Sequence, residues 1–246
     1  MLSNEQSTQS ASETRKRLPR WLLLAALCTL CVCVSAGAAT SPRSEAEFDK
    51  LVDEVSPIDW GRFGEPLREE DEHYGRCLKM VLNSARYNFA WAPGAAKRID
   101  EKRGRFRGKE AHNIVRPACG ASYALAVVLK AGIFDEKSLG VSEREGLART
   151  IRLIEATAAA HGGKSWEYPW QSTFWAATLA HGGWILWDDL DPPTRRKLCE
   201  IVEYEANHFL APGYRVPYWN GRDGNTRAEE NAWDSMIFQV ACAMMP

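Results

Sequence analysis

Residues 170–187 have the sequence WQSTFWAATLAHGGWILW and leave no polar face when they are drawn as a helix. A helix that is apolar on every side is buried on every side. The stretch therefore predicts an interior helix of a large helical core. Its circumference is covered by Phe174, Trp175, Ala177, Leu179, Trp184 and Leu186.

The stretches on either side of this helix are apolar on one side only. Residues 142–160 and 194–209 each place an apolar stripe opposite charged positions, as half-exposed helices do. Ser142 and Glu145 have the spacing of a capping box at the start of the first stretch. Asp191 is a suitable N-cap for the second. Both stretches are therefore predicted to be outer helices.

The two kinds of helix alternate along the chain. Residues 118–131 and 228–245 are mostly apolar, like 170–187, and equivalent points recur roughly every 50–60 residues. This pattern predicts an all-α fold of consecutive helical hairpins that form part of an (α/α) toroid, with the apolar helices on the inside. An irregular helical bundle is the alternative. No run alternates apolar and polar residues, so a large sheet is not expected.

The hairpins are assigned to residues 111–246, and residues 40–110 to N-terminal helices and a basic loop. The loop is predicted at 92–109, after a helix at 69–87, because it contains Pro93, Gly94 and many basic residues. The hairpins are too few to close a ring. We therefore expect a truncated form, or one lobe whose missing C-terminal hairpins are supplied by another chain; an open arc of hairpins is the alternative.

The first 39 residues have the three parts of a secretory signal. Four basic residues between positions 15 and 20 precede an uncharged apolar run at 21–34, and small residues follow at 35–39. The run is shorter than the roughly 20 residues of a membrane-spanning helix. We therefore predict a signal peptide over 1–39 and a periplasmic or extracellular protein. An uncleaved signal anchor is the alternative, and membrane contact is expected through this segment alone.

Composition excludes several other classes of partner. The formal net charge is −1 with both signs interspersed, which indicates no nucleic-acid surface. Outside the signal, the cysteines at 77, 119, 199 and 242 lack metal-site spacing, so no metal is predicted, and they are either core residues or disulfide partners. No Gly-rich phosphate loop or other cofactor motif is present, so no cofactor is predicted.

Three segments just before the apolar helices are predicted to be loops and carry candidate site residues. In the first, residues 109–117, His112 is a candidate general acid or base near neutral pH. Asn113 is a candidate hydrogen-bond donor, and Arg116 a candidate carboxylate clamp. The alternative is ordinary loop polarity, with Arg116 in a structural salt bridge.

The second segment, residues 162–171, alternates aromatic and polar side chains. Trp166, Tyr168 and Trp170 cannot share one packed face unless the chain is extended there, and stacking on sugar rings would explain them. Glu167 and Gln171 would then donate or accept hydrogen bonds to the sugar. Core packing of one or two of the aromatic residues is the alternative.

The third segment, residues 222–234, brings two acidic residues to one helix face. Glu230 and Asp234 are four residues apart, and Asn231 lies beside them. The two carboxylates would serve as acid and base in glycoside cleavage. Alternatively, the carboxyl and amide groups would neutralise a uronate carboxylate for β-elimination. Acidic residues in a first helical turn also complement the helix dipole without any catalytic role.

Four stretches resemble one family group. Residues 170–177 (WQSTFWAA), 184–188 (WILWD), 203–207 (EYEAN) and 227–233 (RAEENAW) are similar to bacterial secreted proteins of the six-hairpin-glycosidase and heparinase II/III-like toroid group. The resemblance covers roughly residues 113–246. It implies that the partner is a polysaccharide or oligosaccharide. Lyases of this kind use Asn, His, Tyr and Arg, which by type would be Asn113, His112, Tyr168 and Arg116 here.

The resemblance thus predicts a secreted polysaccharide-processing protein, either a uronate-polysaccharide lyase or a glycoside hydrolase in truncated form. A non-catalytic glycan-binding or structural helical-repeat protein is the main alternative. A terpene-cyclase-like toroid is a third, but the sequence lacks the Asp-rich motif that such a protein would aim into an apolar cavity.

Overall fold

The computed structural model describes residues 43–58, 72–106, 109–163, 165–168, 171–210 and 228–245, so the predicted signal peptide lies outside these ranges. Within them the chain is all-α, as predicted, and has no strand. Two 3₁₀ turns occur, at Ser165–Glu167 and Trp187–Asp189. The helices are α1 (Glu45–Glu54), α2 (Glu72–Lys102), α3 (Glu110–Lys130), α4 (Glu136–Leu139), α5 (Glu143–Ala159), α6 (Ser172–Ile185), α7 (Pro192–Leu210) and α8 (Ala228–Met244).

The longer helices pack in two rows. In one row α6 lies between α3 and α8, and in the other α5 lies between α2 and α7. Helices that follow one another along the chain also pack together across the rows: α2 on α3, α5 on α6, and α7 on α8. Their side chains form one apolar core that includes α1. The arrangement of these rows into part of a toroid stays a prediction.

Helix α6 is the interior helix that the sequence predicts. Trp175 and Leu179 are fully buried, and only Phe174, His181 and Trp184 retain partial exposure. The same expectation is wrong for α3, where Gly120 and Tyr123 are exposed. Because α3 is covered by its neighbours on part of its surface only, a strip of this helix faces outward.

The prediction of a basic loop at 92–109 is wrong over most of that range, because α2 continues to Lys102. Pro93 lacks the N–H that would bind the Phe89 carbonyl one turn earlier. Arg149 of α5 donates to that carbonyl from Nη1 over 2.9 Å and replaces the missing bond. Buried Ala92, Ala95, Ala96 and Ile99 then carry the apolar stripe of α2 past the proline.

Two adjacent glycines let α6 approach its neighbours closely. A Cβ atom at Gly182 would lie 2.9 Å from the Ser122 carbonyl carbon and 3.0 Å from the Tyr123 backbone nitrogen. Both of these atoms belong to the α3 backbone. A Cβ at Gly183 would instead meet Leu198 Cδ1, the end of a flexible side chain of α7. The contact between α3 and α6 therefore depends on Gly182.

We expect Gly182→Ala to lower the free energy of unfolding by about 1–3 kcal/mol, because a backbone cannot move aside as a side chain can. Gly183→Ala is the matched control, and its cost should be smaller because Leu198 can change rotamer. Urea unfolding followed by circular dichroism measures both. Equal stability of G182A and wild type would contradict the close packing of α3 on α6.

Among the described residues no cysteine forms a disulfide. Cys119 and Cys199 are buried core residues, whereas Cys77 and Cys242 are exposed. Burial raises the pKa of the Cys119 thiol far above its ordinary value and that of Cys199 to about 12. Both buried thiols are therefore uncharged at neutral pH. No helix in the described ranges is both long enough and apolar enough to span a bilayer.

Candidate functional site

The first candidate segment was predicted to be a loop, but in the structure it is helical. Helix α3 begins at Glu110, so His112, Asn113 and Arg116 lie on its first two turns. The cause is an apolar stripe that starts earlier than residue 118. Its members are buried at spacings of three and four: Ala111, Ile114, Val115 and Ala118.

These three polar residues line an open cavity between α3 and α6. Its volume is about 480 Å³, which falls within the range of small-molecule sites. His112 is half-buried, and Asn113 and Arg116 are exposed. Among the described residues the lining consists of His112, Asn113, Arg116, Pro117, Cys119 and Gly120 from α3, with Phe174, Trp175 and Thr178 from α6.

Contacts within α3 favour one tautomer of His112. Arg116 Nη1 lies 3.0 Å from His112 Nε2, and Asn113 Oδ1 lies 3.4 Å from His112 Nδ1. Because a guanidinium group only donates, Nε2 accepts and the ring proton sits on Nδ1. In this tautomer the Nε2 lone pair points at Arg116.

Arg116 carries a charge that the described part of the protein does not neutralise. No carboxylate of the described residues lies within ion-pair distance of its guanidinium group. The salt bridge considered as an alternative for this residue is therefore not seen among them. An exposed arginine at the mouth of a cavity suits a carboxylate, which it binds through two parallel hydrogen bonds.

Tyr168 from the second segment joins this cluster. Its ring stacks on Trp175 at a centroid distance of 5.4 Å and an interplanar angle of 5°. The His112 ring lies 5.8 Å from Tyr168 and 6.1 Å from Trp175. Trp175 is fully buried, and its indole N–H has no hydrogen-bond partner among the described residues. Trp175, which lines the cavity, therefore carries a buried donor without a described partner.

The other described candidates of this segment are not among the residues that line the cavity. Trp166 is 1% exposed and donates from Nε1 to the Thr157 carbonyl over 2.9 Å, so its predicted role in sugar binding is wrong and it is a core residue. Glu167 is exposed away from the lining residues, and Gln171 is buried outside them. Trp170 lies outside the described residues.

A left-handed turn positions Tyr168. Ser165, Trp166 and Glu167 have φ values of 52°, 48° and 60°, a conformation that costs roughly 1–2 kcal/mol for each non-glycine residue. The turn closes with a hydrogen bond from the Tyr168 backbone N–H to the Ser165 carbonyl at 2.9 Å. Since non-glycine residues rarely adopt this conformation, the sequence carried no signal for it beyond Gly162 and Gly163 just upstream.

The sequence pattern also missed a buried polar cluster beside this turn. Glu205 Oε1 lies 2.9 Å from His161 Nε2, and Ser172 Oγ donates to Glu205 Oε2 over 2.7 Å. The Gly163 backbone N–H donates to His161 Nδ1 over 3.3 Å, so the His161 proton sits on Nε2. One signal was available, because Glu205 falls on the apolar stripe of α7.

The third candidate segment lies at the start of α8, where Glu230, Asn231 and Asp234 occupy the first two turns. The side chains of these three residues lie outside the described part of the protein. Trp233 stacks on Phe174 at a centroid distance of 5.6 Å. Because Phe174 lines the cavity, this end of α8 adjoins the cavity wall.

Within the described ranges no group of His, Cys, Asp or Glu side chains has the arrangement of a metal site. Comparison of the chain with protein-family models, curated proteins and solved structures finds no match. The resemblance to the toroid group therefore stays a prediction. The cavity between α3 and α6 is the described feature that bears on function.

Proposed function

We propose that this chain is a secreted protein that processes uronate-containing polysaccharides, and that the cavity between α3 and α6 binds a uronate unit. One observation carries the proposal: His112, Asn113 and Arg116 line one open cavity, and the Tyr168 ring lies 5.8 Å from the His112 ring, next to this lining. These are the residue types that the resemblance to toroid lyases implies for β-elimination of a uronate.

Arg116 and Asn113 are the carboxylate-binding groups in this proposal. A guanidinium cation and an amide donor that hold the carboxylate stabilise the negative charge that develops when the neighbouring C–H loses its proton. Arg116 is suited to this role because it is exposed at the cavity and no described carboxylate forms an ion pair with it. Carboxylate binding also draws Arg116 away from His112 Nε2 and so frees the lone pair of the base.

His112 and Tyr168 are the proton-transfer pair. His112 Nε2 takes the proton from the carbon beside the carboxylate, and that electron pair forms a carbon–carbon double bond as the glycosidic C–O bond breaks. The Tyr168 hydroxyl then donates its proton to the departing oxygen. A hydrolase would rest instead on Glu230 and Asp234, and elimination is proposed because His112 and Arg116 line the described cavity together.

Non-catalytic glycan binding is the second candidate function. Two observations favour it: the His112 lone pair is occupied by Arg116, and Tyr168 is only 8% exposed. In that case the cavity binds a carboxylated sugar without breaking it.

To test the proposed function, the purified chain is incubated with a panel of uronate polysaccharides and, separately, with their carboxyl-reduced forms. We expect unsaturated ends, measured by ultraviolet absorbance, from the carboxylated polymers alone. His112→Gln should slow their formation by roughly 10²–10⁴-fold because it removes the base. Arg116→Ala should weaken binding by at least about tenfold, which corresponds to about 1.4 kcal/mol.

Arg144→Ala is the matched control, because Arg144 is an exposed arginine on α5 that does not line the cavity. Binding that depends on Arg116, without new unsaturated or reducing ends, would establish the non-catalytic alternative. If the folded protein neither binds nor cleaves any polymer of the panel, the proposal is wrong.

A further inference from the structure

The outward strip of α3 continues beyond the cavity. Arg116, Gly120 and Tyr123 follow one another at helical spacings of four and three, and all three are exposed. Tyr123 keeps 41% of its surface accessible. From Arg116 to Tyr123 the helix rises by about 10 Å, so the strip is longer than a single sugar ring.

Helix α6 supplies the opposite side of this strip. Phe174 and Thr178 line the cavity, and His181 follows them three residues later on the same face. The His181 and Tyr123 rings lie 5.5 Å apart at an angle of 37°. The lining of the cavity therefore runs on into a pair of aromatic rings.

The packing of the protein gives no reason for a glycine at position 120. A Cβ atom there would meet nothing within 4 Å, in contrast to Gly182 on the facing helix. Its φ is not left-handed, so no turn requires glycine, and glycine weakens the interior of a helix. Glycine is favoured where a ligand approaches the backbone closely. The bare backbone at Gly120 borders the cavity and leaves room for such an approach.

The charges along the strip differ from one end to the other. Arg116 is a cation at the cavity end. Burial lowers the pKa of His181, so its ring is neutral at neutral pH. A neutral pair of rings with polar tips suits the stacking of a sugar face and hydrogen bonds to its hydroxyl groups. The anionic group of a ligand therefore belongs at Arg116 and an uncharged ring face at Tyr123.

We infer that a linear glycan lies along this strip, with a carboxylated unit at Arg116, its backbone passing over Gly120, and a second sugar ring stacked on Tyr123 and His181. The inference rests on the proposed function and extends it from one sugar unit to an oligosaccharide. Gly120 is then a specificity-determining residue, because a side chain there would obstruct the path between the two subsites.

Calorimetric titration with a uronic acid monosaccharide and with a hexasaccharide of the same unit tests the inference on the full chain. Tyr123→Ala should weaken hexasaccharide binding roughly tenfold and leave monosaccharide binding unchanged. Tyr87→Ala, which removes an exposed tyrosine of α2, is the matched control and should change neither. Gly120→Ala should weaken hexasaccharide binding while it raises Tm by about 2–4 °C, because alanine favours the helix.

Opposite changes in affinity and Tm for G120A separate obstruction of a ligand from damage to the fold. If Y123A and G120A bind the hexasaccharide like wild type while Arg116→Ala loses it, the second subsite is refuted and the proposed function stands. If wild type binds neither sugar, both proposals fail. A change of oligomeric state in Y123A, with hexasaccharide affinity intact, would show that protein covers the strip and would also refute the subsite.

Discussion

Replacing Glu205 with alanine is expected to lower the free energy of unfolding by roughly 3–5 kcal/mol. Its carboxylate accepts hydrogen bonds from His161 Nε2 and Ser172 Oγ, and all three residues are at most 2% exposed. Alanine would leave the imidazole N–H without its acceptor in a region that water does not reach. The cluster also links the end of α5 to α6 and α7, so its loss affects three helices.

Glu205→Gln is the matched control for this change. The glutamine oxygen can still accept from His161, and its amide group can donate to the Ser172 hydroxyl, which also accepts. Its cost should be about 1 kcal/mol, the usual worth of a single hydrogen bond. Guanidinium unfolding followed by circular dichroism measures both variants. An E205A variant as stable as E205Q would show that the hydrogen bonds of this cluster contribute little.

Trp166→Ala is expected to cost about 3–5 kcal/mol, the usual range for a buried tryptophan. The indole is fully packed, its N–H binds the Thr157 carbonyl, and its ring meets His161 edge-to-face at a centroid distance of 4.5 Å. These contacts hold the left-handed turn in its unfavourable conformation. Without them the turn should relax, and Tyr168 should lose its position beside His112.

The two consequences of this substitution can be measured separately. Thermal unfolding reports the loss of stability, and the sugar-binding or elimination assay reports the displacement of Tyr168 in the fraction that remains folded. Trp166→Phe keeps most of the packing and loses only the indole N–H, so it should lie between wild type and W166A in both measurements. Normal activity in folded W166A would show that the turn does not position Tyr168.

The interior helix could be predicted from the sequence because residues 172–185 present no polar face, and most of them are buried in the structure. The length of α2 could not, because Pro93 and Gly94 locally disfavour a helix. Buried alanines and the Arg149 hydrogen bond from another helix override that preference. Such a contact, 60 residues away, leaves no mark in the local pattern.

The candidate site was predicted only in part, because its geometry also depends on contacts that the local sequence pattern does not show. His112 and Arg116 are four residues apart, so their contact follows once the segment is known to be helical, but the segment was predicted to be a loop. The position of Tyr168 depends on three successive left-handed non-glycine residues, which no sequence rule favours. The apolar character of Trp166 was visible, but its place in the core instead of the cavity depends on that turn.

The bond from Arg149 to the Phe89 carbonyl implies an evolutionary dependence between distant positions. While position 93 is proline, that carbonyl needs a donor from α5, and only a long side chain at position 149 supplies it. Once position 93 regains an ordinary backbone N–H, the demand on position 149 disappears. Homologous chains should therefore change these two sites in a fixed order, with the proline replaced before the arginine is released.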